Sequence, residues 1–249
     1  MTLYVFYDTL WDMIRENLSR VREEIKGICL LAGRNPEEIT LVGVTKFAPI
    51  EAIQEAIRAG LTDIAENRVQ EAEKKFPLCV SPGHEIRRHL IGHLQTNKVK
   101  DVIKVCDLIQ SVDSLKLAEE IETQSAKINK TTHILVQFNT ANEPQKFGAS
   151  KEEALKLIEA IGKCSHIRIQ GLMAMAPYTE DQGVIRRAFS DLRDIRDAIS
   201  QNFSGHARIQ MDHLSMGMSA DYRIAIEEGS TMVRVGSAIF KDAYVQEEA

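Results

Sequence analysis

The chain has 249 residues, 44% of them apolar and 27% charged, which is the profile of a folded globular protein rather than a disordered or fibrous one. Its 31 basic and 36 acidic residues leave a formal charge of −5, which argues against a dedicated nucleic-acid binder while leaving room for a local phosphate site. No apolar run reaches the roughly 20 residues that span a bilayer, and the N-terminal start has neither the basic region nor the small-residue cleavage site of a secretory signal, so a cytoplasmic protein is expected.

Apolar residues at Ile14, Leu18, Val21, Ile25 and Leu30 have helical spacing and predict a helix over 11–32, packed outside the sheet that follows. Residues 39–44 are short and β-branched and predict a buried strand. A helix over 51–59 closed by Gly60 follows, then a strand over 63–66 and a helix over 68–75. Strands are next predicted over 89–92 and 108–112, with helices over 97–105 and 115–128. The second half continues with strands over 133–139, 167–175, 210–216 and 231–235, and helices over 151–162, 181–200 and 221–228.

No linker or low-complexity tract interrupts this alternation, so residues 1–249 read as a single domain. Alternating strands and helices predict an α/β fold with a parallel sheet and right-handed crossovers. Eight units in about 200 residues predict closure into a (β/α)8 TIM-type barrel, with the first helix as an addition. The alternative is an open doubly wound sheet, but no G-x-G-x-x-G follows the first strand. The four cysteines, Cys29, Cys79, Cys106 and Cys164, form no C-x-x-C pair and read as reduced, mostly buried thiols. The acidic residues at 247 and 248 read as part of a solvated tail.

Barrels of this kind carry their active groups where strands end at the C-terminal face. That rule selects Lys46 after the first strand, Asn67 after the second, Gly92 and His93 at the third, and Asn139 at the fifth. It also selects Ser215, Gly217 and Ser219 after the seventh, and Arg234, Gly236 and Ser237 at the eighth. A lysine closing a buried strand is expected to be desolvated, which favours the neutral amine that attacks aldehydes; the plain alternative is a solvent-facing lysine. Loops after strands seven and eight are the recurrent phosphate site of these barrels, and small residues there let a backbone approach the anion. Tight turns would explain the same small residues. His89 and His93 are four apart, but across a strand that spacing does not bring them together as a metal pair. The late cluster Met173, Met175, Met211, Met216 and Met218 reads as core and pocket packing.

Five blocks together resemble a known family: Leu41-Val42-Gly43-Val44-Thr45-Lys46, Glu66-Asn67-Arg68-Val69-Gln70-Glu71, His89-Leu90-Ile91-Gly92-His93-Leu94-Gln95-Thr96-Asn97-Lys98, Leu214-Ser215-Met216-Gly217-Met218-Ser219 and Met232-Val233-Arg234-Val235-Gly236-Ser237. They are similar to the signature blocks of the pyridoxal phosphate homeostasis proteins, which are related to the N-terminal barrel of alanine racemase. The blocks run in family order over roughly four-fifths of the chain. The resemblance implies pyridoxal 5′-phosphate as cofactor, held as a covalent aldimine on Lys46. It implies that Arg234 faces the pyridine nitrogen, that Ser215, Ser219, Gly236 and Ser237 surround the phosphate, and that Asn67 lies near the cofactor. It also implies a monomer. Ala65, Arg88 and Leu90 depart from the family pattern of Gly, an aromatic and Phe, which points to altered packing around strands two and three.

Three functions stay open at this level. The first is a cofactor-binding homeostasis protein that keeps the free aldehyde low and delivers it to apoenzymes, with no metal and no substantial turnover. The second is a pyridoxal-phosphate-dependent amino-acid racemase; the resembled racemases add a β-rich domain with a catalytic tyrosine, and this chain ends soon after strand eight. His93 and Tyr178 are the strand-end side chains that such chemistry would have to use as a second proton group. The third is a barrel that binds another phosphate ligand without the Schiff base.

Overall fold

The computed structural model describes residues 2–80, 83, 85–139, 148–149 and 151–244, without the side chains of 2–10 and 151–152. The first helix, α1 (Thr2–Leu31), extends further toward the N-terminus than its apolar stripe predicts. Ile14, Leu18, Val21, Ile25 and Ile28 are buried along one face, the three-and-four spacing that aligns side chains on a helix. Leu30, assigned to that stripe from the sequence, is exposed.

From there strands and helices alternate: β1 (Thr40–Val44), α2 (Ile50–Arg58), β2 (Asp63–Glu66), α3 (Val69–Lys75), β3 (Arg87–Leu90), α4 (Val99–Val105), β4 (Leu108–Val112) and α5 (Leu115–Lys127). The chain continues through β5 (Thr132–Phe138), α6 (Lys151–Ile161), β6 (Ile167–Ala174), α7 (Gln182–Asn202), β7 (Ile209–Met218), α8 (Tyr222–Glu227), β8 (Met232–Val235) and a four-residue α9 (Ser237–Phe240). The strands close in sequence order, β8 pairing with β1, and every neighbouring pair is parallel. The expected TIM-type barrel with an added N-terminal helix is the observed fold.

Two strand boundaries differ from expectation in ways that matter for the site. β3 starts at Arg87 and stops at Leu90, so Gly92 and His93 lie in the loop beyond it. The two arginines disguise the start of the strand: the Arg88 amide hydrogen-bonds Asp107 and its guanidinium reaches the Cys79 carbonyl. β7 continues through Met218, which places Ser215 and Gly217 within the strand and only Ser219 after it.

Side-chain alternation sorts the barrel into two cores. Val42, Ala65, Leu108, Leu135, Met173 and Met232 form the small apolar cluster lining the interior. Ala65, one of the family departures, is one of these fully buried residues. A much larger cluster fills the space between sheet and helices. Cys29, Cys79 and Cys106 are buried free thiols and Cys164 is half-buried. Burial pushes the Cys79 thiol up to about 11 and Cys106 up to about 12, so neither is a thiolate at neutral pH. Among the described residues, no helix is long and apolar enough to cross a membrane. The tail at 246–249 lies outside the described residues.

Candidate functional site

β1 and β8 meet at the C-terminal mouth of the barrel. Val42 is level with Arg234 and Gly43 with Val235, so the turn carrying Lys46 stands beside the loop that carries Gly236 and Ser237. The contact is close: a Cβ at Gly236 would sit 3.2 Å from the Val44 carbonyl oxygen and 3.5 Å from the Tyr244 hydroxyl. A side chain there would fill the space between the two strand ends, which explains glycine at this position.

Lys46 itself is exposed. This corrects the expectation of a desolvated amine. The strand ends at Val44, two residues before the lysine, and Phe47 after it adopts φ 65, an uncommon conformation for a residue with a Cβ. Its Nζ lies 5.9 Å from the Phe47 ring centroid, and Phe47 makes an edge contact with Tyr244 at 6.0 Å. The residue before it is firmly held. Thr45 is buried, and its hydroxyl donates to Glu66 Oε1 at 2.7 Å. Lys75 Nζ completes the clamp, donating to the same oxygen at 2.9 Å and to the Thr45 carbonyl at 3.0 Å.

Arg234 projects into the barrel and is 4% exposed. Nη1 donates to Ser215 Oγ at 2.6 Å and Nη2 to the Ala174 carbonyl at 3.0 Å. Burial lowers its pKa to about 10, opposed by the charge of Asp221, so the guanidinium remains a cation at neutral pH. Asp221 in turn accepts the Met218 amide at 2.5 Å, which ties the end of β7 to the start of α8. Burial raises the Asp221 carboxyl, against the opposing pull of the Met218 amide and Arg234.

The four small residues expected around a phosphate separate into two groups. Ser219 is half-buried just past β7, and Gly236 and Ser237 open α9, with Ser237 exposed. The first amides of a helix have no partner within it. α9 is held in place from outside, because Asn17 on α1 donates to the Ile239 carbonyl and to Asp242, both at 3.2 Å. Ser215 differs. It is fully buried and its hydroxyl is committed to Gln110 and Arg234, so its side chain supports the arginine. The family resemblance implied a place at the phosphate for Ser215, whereas its side chain, inside β7, is taken up by Gln110 and Arg234.

Asn67 is exposed immediately after β2. A Cβ at Gly92 would fall 1.9 Å from the Asn67 carbonyl oxygen, so the loops after β2 and β3 touch backbone to backbone. His93 Nδ1 faces Asp113 at 3.7 Å, whereas His89 is fully buried against Asp63 and Gln110. The two histidines therefore face different partners, and among the described residues no group of three His, Cys, Asp or Glu side chains is arranged to hold a metal. Tyr178 is fully exposed. Sequence reasoning missed Gln110, Asp221 and Tyr244. The one available signal was the large polar side chain of Gln110 inside a buried strand that otherwise carries Leu108, Ile109, Ser111 and Val112.

The description "alanine racemase, N-terminal domain" matches residues 12–243 of the chain. Among curated proteins, the pyridoxal phosphate homeostasis protein of Aquifex aeolicus is 38% identical over 225 residues, covering 90% of this chain and 96% of the relative. That of Escherichia coli strain K12 is 37% identical over 228 residues, covering 91% and 95%. The chain belongs to the pyridoxal phosphate homeostasis family. The structure of PipY from Synechococcus elongatus with PLP bound superposes with a TM-score of 0.78 at 29% identity, covering 91% of this chain and 99% of PipY. Alanine racemase of Clostridium difficile gives a TM-score of 0.73 at 17% identity and is covered to 59% of its length. That likeness is one of fold.

Proposed function

We propose that this chain binds pyridoxal 5′-phosphate and serves the intracellular homeostasis of the cofactor, holding its aldehyde in a Schiff base on Lys46 Nζ without substantial turnover of its own. The observation that carries the reading is the pairing of β1 with β8. It sets an amine on the rim, a buried cation within the barrel and a glycine–serine loop side by side. The donor set suits the ligand: Lys46 for the aldehyde, Arg234 for the ring nitrogen, and Ser219, Gly236 and Ser237 for the phosphate, with Asn67 at the rim. Ser215 acts through Arg234. When bound, the cofactor supplies an electrophilic carbon and an electron-withdrawing ring.

Arg234 also bears on the absence of turnover. A guanidinium donates hydrogen bonds but no proton at neutral pH, so it leaves the ring nitrogen unprotonated and the ring a weaker electron sink. Proton exchange on both faces of an amino acid needs two positioned groups. The strand-end candidates for the second group are His93, engaged with Asp113, and Tyr178, which points into solvent. The relatives that the chain covers almost completely are named for homeostasis. We place the protein in the cytoplasm as a monomer that passes the cofactor to apoenzymes.

The test is spectroscopic. Purified protein loaded with pyridoxal phosphate is expected to be yellow, to lose the band on borohydride reduction, and to carry a pyridoxyl adduct on Lys46. Lys46→Ala is expected to lose the band. An adduct mapped to a different lysine, such as Lys75, overturns the assignment.

A further inference from the structure

We infer that Gln110, His89 and Asp63 are positioning residues for Arg234, linked to it by a one-way chain of hydrogen bonds that crosses the barrel interior. From Arg234 Nη1 the chain passes to Ser215 Oγ at 2.6 Å, and from Ser215 Oγ to Gln110 Oε1 at 2.6 Å. Gln110 Nε2 meets His89 Nδ1 at 2.8 Å, and His89 Nε2 meets Asp63 Oδ1 at 3.1 Å. Thr62 Oγ1 donates to the other carboxylate oxygen at 2.8 Å. The members come from β8, β7, β4, β3 and β2.

Donor and acceptor chemistry gives the chain a single direction. A guanidinium only donates, so Ser215 accepts from it and has one proton left, which goes to the Gln110 carbonyl. That orientation of the amide points its NH2 at His89 Nδ1, which must accept. His89 is therefore neutral with its proton on Nε2, and that proton is donated to the Asp63 carboxylate. The chain begins on a fixed cation and ends on an anion, and reversing any one link would set two donors or two acceptors face to face. Burial lowers the His89 pKa against the pull of Asp63, in agreement with a neutral ring.

Every member is at most 8% exposed. Buried polar groups are costly unless fully bonded, and the interior of such barrels is ordinarily filled by branched apolar residues. Here the adjoining interior cluster is of that ordinary kind, Val42, Leu108, Leu135 and Met232 among its members. The fold alone does not call for a polar chain through this core. What the chain does is remove freedom from Arg234: its Nη1 is fixed by a serine whose own rotamer is fixed by Gln110, and Gln110 is fixed by His89. Gln110, His89 and Asp63 thus set where the guanidinium points at the barrel mouth.

This inference rests on the reading of Arg234 as the partner of the ring nitrogen. The test uses the full-length protein and two ligands, pyridoxal phosphate and its 1-deaza analogue, in which carbon replaces the ring nitrogen. Gln110→Met keeps the volume and breaks the chain. It is expected to weaken pyridoxal phosphate about tenfold, to shift the absorbance of the bound cofactor, and to leave the deaza analogue unchanged. Arg234→Met is expected to show the same selective loss, and the double variant no more than Arg234→Met alone. Ser215→Ala, which deletes a single oxygen one link closer to the arginine, is the second variant should Gln110→Met fail to fold. Wild-type protein that binds both ligands equally overturns the reading of Arg234. Wild-type protein that discriminates, together with chain-breaking variants that keep the full discrimination or weaken both ligands alike, overturns the positioning role alone.

Discussion

Arg234 and Ser215 meet at 2.6 Å inside the barrel, guanidinium donating to hydroxyl, across the β7–β8 seam. The contact divides the serines of this region into one that supports the arginine and others that stand at the rim. The division has a stability consequence. Ser215→Ala leaves a guanidinium N–H and the Gln110 carbonyl buried without their partner, which costs about 1–3 kcal/mol. Ser237→Ala, at an exposed site, is expected to stay within about 0.5 kcal/mol of the parent. Urea unfolding of the two variants without cofactor checks this, and equal midpoints would contradict the division.

Ligand affinity should divide the same residues the other way. Ser219→Ala and Ser237→Ala each remove a donor proposed to bond a charged phosphate, a loss of about 1.5–3 kcal/mol. The expected outcome is pyridoxal phosphate weakened much more than pyridoxal, measured by titration of the absorbance band. Equal weakening of both ligands would show that these hydroxyls do not read the phosphate.

Stability should fall on mild acidification. His89, His133 and His213 are all held below the ordinary histidine value of 6.5, in each case first by burial. As pH drops through 6.5 the unfolded chain takes up protons that the folded chain refuses, so stability is fully present above that value and is lost progressively below it. Asp63 adds a second, more acidic step. Burial pushes its carboxyl up, but the hydrogen bonds from His89 and Thr62 bring it below the ordinary 3.8, so its contribution fades as pH falls through that range toward the folded value. The urea midpoint is expected to be lower at about pH 5.5 than at about pH 7.5. His89→Gln, which cannot titrate, is expected to flatten that difference.

Loaded protein incubated with L-alanine in deuterated water is expected to incorporate α-deuterium slowly and mainly with retention, since on the proposed reading Lys46 serves one face and neither strand-end candidate among the described residues, His93 or Tyr178, is set to serve the other. Chiral chromatography with mass detection reads both quantities. Turnover near the roughly 10 s⁻¹ typical of enzymes, abolished by Lys46→Ala, would replace the homeostasis reading with an enzymatic one.

The sequence by itself determined the barrel and the places where chemistry could sit. Strand and helix periods are local properties, and eight alternations leave little besides closure; β2 and β4 fall on the residues their patterns predict. Lys46, Arg234, Gly236 and Ser237 were legible because strand ends define one face of such a barrel. What only the tertiary structure decided is how those groups are supported. β7 runs on to Met218 past a register shift against β8, which takes Gly217 into the strand, and the closed barrel buries Ser215 against Arg234. Its partner Gln110 is 105 residues away in sequence, and Gln110 and His89 are 21 apart on neighbouring strands. A period of two tells which face a side chain takes, but which polar atoms meet across a closed interior depends on the register of strands that the sequence order does not reveal. Lys46 likewise stands exposed in the turn after β1, beside a left-handed residue, Phe47, whose type gives no sign of that conformation.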